Sequence, residues 1–174
     1  MKRWSVDEDP CGGALGSDAR EMCAARGSLV GIRASAESAF RLSGTDYRMA
    51  DLSSADLSGT SMRRFRFGCA SLRLATLRRA SLGWCDLRKA SLRGADLRNA
   101  RFSACDLRQA DLRDVDLRDA WFTVAQDAEG WRGCNLLGAD LEGADLRGVQ
   151  FRAETIWPEG FSPEAAGAEP ETSR

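Results

Sequence analysis

The stretch from Phe40 to Val124 repeats every five residues without a break, and this period constrains the fold more than any other feature. One position of each unit is leucine or another large apolar residue. A small residue, mostly alanine, stands two positions earlier, as in Ala-Asp-Leu-Arg-Asn at 95–99. The other three positions are mainly Asp, Ser, Arg, Lys, Gly or Asn. Any fold for this chain must therefore bury two residues in every five.

A period of five fits neither an α-helix nor an uninterrupted strand. Leucines five apart would rotate around a helix axis, and in a strand an odd period would send them to alternate faces. The pattern is satisfied if the chain turns a corner once per unit, so that each unit forms one short side with its leucine and its small residue inside. The sequence therefore predicts an all-β repeat solenoid.

These units resemble the pentapeptide-repeat family, whose pattern is Ala-(Asp/Asn)-Leu-x-x. The resemblance covers roughly 40–156 with one interruption. It implies a right-handed quadrilateral parallel β-helix of about five to six coils, with four units per coil and a narrow leucine-filled interior. The structural core expected from the central units is Leu72, Leu77, Leu82, Leu87, Leu92, Leu97, Phe102, Leu107, Leu112 and Leu117.

Three parts of the chain follow from where the repeat begins, breaks and ends. We expect 1–39 to be a partly disordered N-terminal leader that covers one end of a β-helix over 40–157. The nine residues 125–133 interrupt the repeat and cannot fit a tight corner, so they are predicted to project as a loop. Loops on rigid scaffolds often carry function.

The repeat is predicted to resume in a new phase after the insertion and to end near residue 157. Ile156 is expected to fill the last inward slot. In the segment 158–174, Phe161 should fold with Trp157 over the terminal leucine layer. The Ala, Glu, Gly and Pro composition after Pro163 predicts a disordered tail.

With four units per coil, residues twenty apart should stack, and this sorts the outward residues into four faces. We call the units 60–64, 80–84, 100–104 and 120–124 the aromatic-basic face. Stacking predicts cation–π contacts of Arg64 with Trp84 and of Arg101 with Trp121. Exposed Trp beside Arg is typical of binding hot spots. The candidate partner-binding residues are Trp84, Trp121, Arg63, Arg64, Arg101, Trp131, Asp127 and Glu129.

Two other faces carry columns of arginine, which have two interpretations. The column residues are Arg73, Arg93 and Arg113, then Arg78, Arg98 and Arg118. Stacked like charges cost on the order of 1 kcal/mol per pair in water. Three aspartates stand two positions before column arginines and can offset that cost: Asp96, Asp111 and Asp116. A compensated surface is therefore the favoured interpretation. The alternative is an anion-binding ladder that tracks phosphates.

Composition argues against several functional classes. The chain has no histidine, and no motif for phosphate or metal binding, so we expect neither an enzyme nor a bound cofactor or metal. No apolar run approaches the ~18 residues of a membrane span. Six dispersed cysteines indicate reduced thiols and a cytoplasmic location.

The favoured hypothesis is a non-enzymatic scaffold, a monomer or end-to-end dimer, that binds a partner protein. The resemblance implies one narrower alternative, because some family members resemble B-form DNA, bind gyrase or topoisomerase IV and protect them from quinolones. The chain fits this only in part. Between Arg63 and Arg101 it has eleven basic and two acidic residues, net +9; between Asp106 and Asp145 four basic and ten acidic, net −6. A second, less favoured alternative is an anionic partner, nucleic acid included, on the arginine ladders.

Overall fold

The protein is described here as a computed structural model, which defines residues 42–43, 46–128 and 130–171. Over this part the backbone winds into a parallel β-helix of about five turns and contains no α-helix. Each coil has four sides of one unit each. Leu82, for example, pairs with Met62 on the coil below and Phe102 on the coil above. The predicted fold class is confirmed, whereas the predicted leader at 1–39 lies outside the described residues.

One side of the coil, the aromatic-basic face, is regular enough to form a sheet. The strands of the described residues are β1 (Leu42–Ser43), β2 (Ser61–Arg63), β3 (Ser81–Gly83), β4 (Arg101–Ser103), β5 (Trp121–Thr123), β6 (Ala125–Asp127), β7 (Gly130–Arg132), β8 (Gln150–Phe151) and β9 (Glu169–Pro170). Seven of them run parallel in the order β1-β2-β3-β4-β5-β8-β9, and β6 and β7 form a separate antiparallel pair. The other three sides are joined by single bridges, such as Asp96 to Asp116.

The chain turns most corners at a residue in the left-handed conformation, two positions after the inward leucine or aromatic residue. Arg79 and Asn99 have φ values of 57° and 59°. The turn is closed by a hydrogen bond that the next small residue donates back, as from the Ala80 N–H to the Leu77 carbonyl at 3.0 Å. Left-handed backbone costs non-glycine residues about 1 kcal/mol or more. Here the hydrogen bonds between coils offset that cost at every corner.

The interior consists of the two residue columns that the sequence predicts. The backbone N–H of Leu92 donates to the Asp111 carbonyl on the next coil at 2.8 Å, which holds successive leucines in register. A fully buried leucine contributes roughly 1.5–3 kcal/mol before entropy is subtracted. The predicted core is confirmed, because the following side chains are at most 1% exposed: Leu72, Leu77, Leu82, Leu87, Leu92, Leu97, Phe102, Leu107, Leu112 and Leu117.

Aromatic residues close the described ends of the leucine column. At the N-terminal end Phe65 occupies a slot that elsewhere holds a small residue, and its ring stacks on Tyr47 and Phe67 with centroids 5.7 and 5.4 Å away. At the C-terminal end Trp157 packs edge-on against Phe151, as predicted for the cap. Both clusters bury a layer that would otherwise be open.

Two expectations for the C-terminal end are wrong. Ile156 pairs with Asn135, 21 rather than 20 residues earlier, and its side chain is 42% exposed. This one-residue slip puts Trp157 in the inward slot, where its larger ring covers the aromatic layer. The segment 164–171 is also ordered rather than disordered, because β9 pairs with β8 and Ala168 is buried against the core.

The column predicts a large effect for a charge placed at its centre. Leu92→Asp should lower the free energy of unfolding by more than about 4 kcal/mol, because an unpaired carboxylate would be buried. Urea denaturation followed by circular dichroism measures this, with Leu92→Ala, expected to cost about 2–5 kcal/mol, as a milder variant.

The matched control is Arg79→Asp, at an exposed corner position with φ 57°. Aspartate tolerates this conformation, so the change should stay within about 0.5 kcal/mol. Equal effects at residues 79 and 92 would contradict the packing described here.

Candidate protein-binding site

The site starts from the outward side chains of the aromatic-basic face. Along each strand the central residue points into the core, so its neighbours point out: Trp121 precedes the buried Phe122 and is 38% exposed. Trp121 sits directly above Arg101 in register. Trp84 occupies a left-handed corner position at the edge of the same face, with φ 58°. Arg101 and Trp121 come together because they are twenty residues apart and therefore stack on successive coils. Trp84 belongs to the coil below Arg101, on the same face.

The nine-residue insertion forms a β-hairpin. Its strands β6 and β7 pair antiparallel, with Asp127 opposite Gly130 and two residues in the connection. Gly130 has φ 124°, a conformation that a side chain would strain. The sequence predicted a projecting loop here; the structure gives the insertion regular pairing and a defined direction.

The hairpin folds back along the corner of the aromatic-basic face. The Arg132 guanidinium lies 5.7 Å from the centroid of the Trp84 ring, and it pairs with Asp127 at 3.3 Å. Ala104, at the corner one coil above Trp84, is only 2% exposed, whereas other corner residues such as Asn99 are exposed. The hairpin therefore covers this corner over two coils.

Gly133 fixes where the hairpin returns to the coil. It is buried, and a Cβ built on it would collide with the backbone carbonyl of Glu154. Only glycine permits this approach. The coil then continues in register, with Phe151 paired to Phe122, 29 residues earlier. The nine inserted residues are thus excluded from the coil without disturbing it.

A cleft of about 360 Å³ lies beside the hairpin on the aromatic-basic face. Indoles from both parts line it: Trp121 from β5 and Trp131, 64% exposed, from β7. The remaining lining residues are Arg101, Thr123, Val124, Arg152 and Glu171. The cleft therefore combines two exposed aromatic rings with charged groups around them.

Among the described residues, the charged side chains that line the cleft include one arginine, Arg101, without an ion-pair partner. Arg152 pairs with Glu171, their Nε and Oε2 atoms 2.6 Å apart. Arg101 is exposed and has no ion pair within the described residues. The three charged residues thus give the cleft a net charge of +1 at neutral pH, carried by Arg101.

The structure brings some of the predicted site residues together and separates others. Arg101, Trp121 and Trp131 meet in the cleft. Trp84 and Asp127 instead hold Arg132. Both predicted cation–π contacts are wrong: within the described part of the chain, neither the Arg64 guanidinium over the Trp84 ring nor the Arg101 guanidinium over the Trp121 ring forms one.

Arg63 and Arg64 are exposed but belong to β2 and its corner, two coils below Arg101. The candidate Glu129 lies outside the described residues.

Sequence reasoning missed Arg132, Arg152 and Glu171. Arg152 could have been found, because adding the nine-residue insertion to the twenty-residue spacing places it above Thr123. Arg132 had no such signal, since hairpin residues have no stacking partner in the repeat. Glu171 fell in the segment predicted to be disordered.

Most of the column arginines pair with an aspartate of their own unit or of the next coil. In the unit around Leu97, Asp96 accepts hydrogen bonds from Arg98 Nε and Nη2 at 2.9 and 2.6 Å. Arg98 also lies 3.4 Å from Asp116 on the next coil. Arg78, Arg93, Arg113 and Arg118 likewise have acidic partners, whereas Arg73 has no ion pair within the described residues. This geometry supports the compensated-surface interpretation.

The same pairs lower the pKa values of the aspartates. Side-chain hydrogen bonds from Arg113 and Arg147 lower the pKa of Asp111 and of Asp145 to about 2. Hydrogen bonding to Asp111 raises the pKa of Arg113. The aspartate–arginine pairs on these two faces therefore stay ionised near neutral pH, and few arginine charges remain for a ligand.

Three cysteines form an inward column, and their thiols have low reactivity. Cys85, Cys105 and Cys134 are free and buried. A hydrogen bond with Cys105 and burial raise the pKa of the Cys85 thiol, and burial raises the pKa of Cys105. Such thiols are poor nucleophiles. Cys69 is disulfide-bonded, which departs from the expectation of reduced thiols.

The described residues contain no cluster of side chains suited to a metal ion. Among the same residues there is no helix with the length and apolar character needed to cross a bilayer.

Comparison with known sequences identifies the repeat. The sequence model for pentapeptide repeats matches residues 50–94, 90–123 and 131–153, in eight copies. These ranges cover more than half of the 174 residues. No curated protein matches the chain.

Solved structures share the same architecture. A pentapeptide repeat protein of the Arabidopsis thaliana thylakoid lumen is 28% identical, with a TM-score of 0.54 over 62% of this chain and 68% of that one. The pentapeptide repeat protein Rfr23 of the cyanobacterium Cyanothece 51142 is 25% identical, with a TM-score of 0.52 over 59% of this chain and 63% of that one.

QnrB1, a plasmid-mediated fluoroquinolone resistance protein, is 15% identical, with a TM-score of 0.52 over 81% of this chain and 88% of its own. At this identity the likeness shows the fold alone. The chain spans less than two thirds of the length of Rfr23.

The aspartate–arginine pairs predict a loss of stability in acid. The pKa of Asp111 and of Asp145 is about 2 when folded, against 3.8 as the ordinary value, so the unfolded chain binds more protons. Their contribution is complete above about pH 4 and is lost as the pH falls toward 2. The double variant Asp111→Asn, Asp145→Asn should show a smaller fall in melting temperature between pH 5 and pH 2 than the unaltered chain.

Asparagine keeps an acceptor for the backbone N–H of the arginine but does not titrate, so it removes the charge and not the turn. Glu164→Gln, at an exposed position with no ion pair in the described residues, is the control. Identical pH profiles for the double variant and the unaltered chain would contradict the role given to these pairs.

Proposed function

The chain belongs to the pentapeptide repeat family, and we propose that it is a scaffold that binds one partner protein through the aromatic-basic face and the hairpin. Proteins of this family mediate protein interactions, and their fold is generally a non-enzymatic scaffold. With no histidine in the sequence, catalysis would lack the most common general base.

The observation that carries the proposal is the cleft formed by Trp121, Trp131 and Arg101. Tryptophan and arginine dominate the energetics of protein interfaces when a partner covers them. Most outward residues on the other faces are small, polar or paired in ion pairs, which makes them well solvated. The rigid coil also presents the cleft at little entropic cost, since the side chains sit on ordered strands.

The proposal predicts which residues a partner requires. The double variant Trp121→Ser, Trp131→Ser should capture at most about a tenth as much of the partner as the unaltered chain does, because two hot-spot side chains are removed. Affinity capture from cells that express the protein, with quantitative mass spectrometry, measures the difference.

Leu74→Ser is the control, because Leu74 is an exposed apolar residue, 66% accessible, on a different face. It should leave capture unchanged. A partner retained equally by all three proteins, with intact circular dichroism spectra, would overturn the use of this face.

A second candidate function is binding to DNA gyrase or topoisomerase IV, with protection from quinolones. The match to QnrB1 covers most of both chains, and the acidic half between Asp106 and Asp145 resembles the charge of DNA. The basic half below it weighs against mimicry of a long duplex, because it would repel the DNA-binding surface of the enzyme. If topoisomerase contacted only the acidic coils and the hairpin, the acidic half could bind it while the basic half stayed outside the interface.

A gyrase supercoiling assay with and without ciprofloxacin tests this second candidate. It predicts inhibition of supercoiling by the protein or relief of the drug's effect, and loss of either effect in the variant Asp140→Asn, Glu142→Gln. No change in supercoiling under either condition removes topoisomerases as the partner and leaves the scaffold proposal intact.

An anionic partner on the arginine ladders is the weakest candidate. Five of the six ladder arginines have aspartate partners, so a phosphate would have to displace a carboxylate at each of them. Phosphate binding gains most from cations that are free before the ligand arrives.

A further inference from the structure

We propose that the cleft recognises an acidic linear segment of the partner, with one carboxylate on Arg101 and an adjoining apolar side chain against Trp121 and Trp131. This inference rests on the proposed function and specifies the chemistry of the ligand. Three properties of the cleft support it: its volume, its charge and its rigidity.

The volume of the cleft fits a short segment. At about 360 Å³ it lies at the lower end of the range for small-molecule and side-chain pockets. That space admits one large apolar side chain with a neighbouring polar group. The two indoles supply apolar area with few rotatable bonds, which suits an aliphatic or aromatic side chain. The occupant is therefore a few residues of chain rather than a folded surface.

The charge of the cleft selects an acid. Glu171 already occupies Arg152, and the hydroxyl of Thr123 lies within 2.6 Å of the Ser103 hydroxyl, so both are engaged. Arg101 remains without an ion pair within the described residues. A guanidinium holds a carboxylate through two parallel hydrogen bonds, stronger than bonds between neutral groups. A basic segment would instead be repelled by the net charge of +1.

The cleft favours protein over nucleic acid as the source of that acid. Nucleic-acid binding depends on several phosphate contacts, whereas among the described residues this cleft offers one free cation, Arg101. Glu171 lines the cleft, and Glu169 lies two residues before it, on β9. Both carboxylates would repel the phosphates of a nucleic acid that extended beyond the cleft. Indoles do stack with bases, so single-stranded DNA is the competing occupant that an experiment must separate.

The hairpin keeps the cleft formed before the partner arrives. Arg132 is held over Trp84 and paired with Asp127, so β7 and its Trp131 are fixed against the coil. A preformed cleft binds a flexible segment without also ordering itself. The partner segment supplies the flexibility and the scaffold supplies the shape.

Selection from a phage-displayed library of random heptapeptides tests the proposal on the full chain. The unaltered protein should enrich peptides with Asp or Glu beside an aromatic or aliphatic residue. Replacing that acid by its amide in a synthetic peptide should weaken binding about tenfold in a fluorescence anisotropy titration. With Arg101→Glu as bait, the enriched peptides should carry Lys or Arg instead.

Arg79→Glu is the matched control, since Arg79 is an exposed arginine outside the aromatic-basic face that does not line the cleft and has no ion pair within the described residues. Its selection should match that of the unaltered protein. The proposal is overturned if no peptide is enriched, or if Arg101→Glu and the unaltered protein enrich the same peptides.

A fluorescein-labelled thymidylate decamer forms the second arm of the experiment. Binding of this oligonucleotide that depends on Arg101, without an acidic bias among peptides, would also overturn the proposal in favour of single-stranded DNA. If the peptide result fails while Trp121→Ser, Trp131→Ser still loses the cellular partner, the scaffold function stands and only the ligand chemistry is wrong.

Discussion

The hydrogen-bond register between successive coils is the constraint on which the rest of the structure depends. Each side is one unit long, most corners have a left-handed residue, and four sides bring the chain back above itself after twenty residues. The register stacks leucine on leucine inside, and it equally stacks whatever stands outside. Like charges such as Arg98 and Arg118 are tolerated because Asp96 and Asp116 stack with the same spacing. Fold and surface pattern are thus two results of one geometry.

The hairpin exists because this register cannot absorb nine extra residues. Rather than distort the coil, the insertion leaves it after Val124 and returns at Gly133, where the carbonyl of Glu154 leaves no room for a side chain. The next strand then pairs as though nothing had intervened. Within the described residues, a cleft lined by two exposed indoles lies beside this departure from the repeat. The candidate site therefore exists because the nine inserted residues leave the coil as a hairpin, which forms one wall of the cleft.

Periodicity predicted the two inward columns. The number of sides came from the family resemblance, and with four units per coil the composition of the aromatic-basic face followed, because each residue then has a stacking partner of known position. Arg132 on Trp84, the slip at Ile156 and the order of 164–171 did not follow. These features depend on single contacts: a guanidinium over a ring, a large indole preferred over Ile156 in the last slot, and a short strand added to an open edge. A repeat gives no information about such contacts, since they occur once.

The proposed binding cleft depends on the hairpin, which the contact of Arg132 with the Trp84 ring holds against the coil. Proton NMR of the full chain measures whether this contact exists in solution, through the chemical shifts of the Arg132 side-chain methylenes and their nuclear Overhauser effects to the Trp84 indole. We expect upfield ring-current shifts and cross-peaks between these two residues, both lost in Trp84→Leu. Arg132 resonances at random-coil positions, without such cross-peaks, would show that the hairpin is not held there.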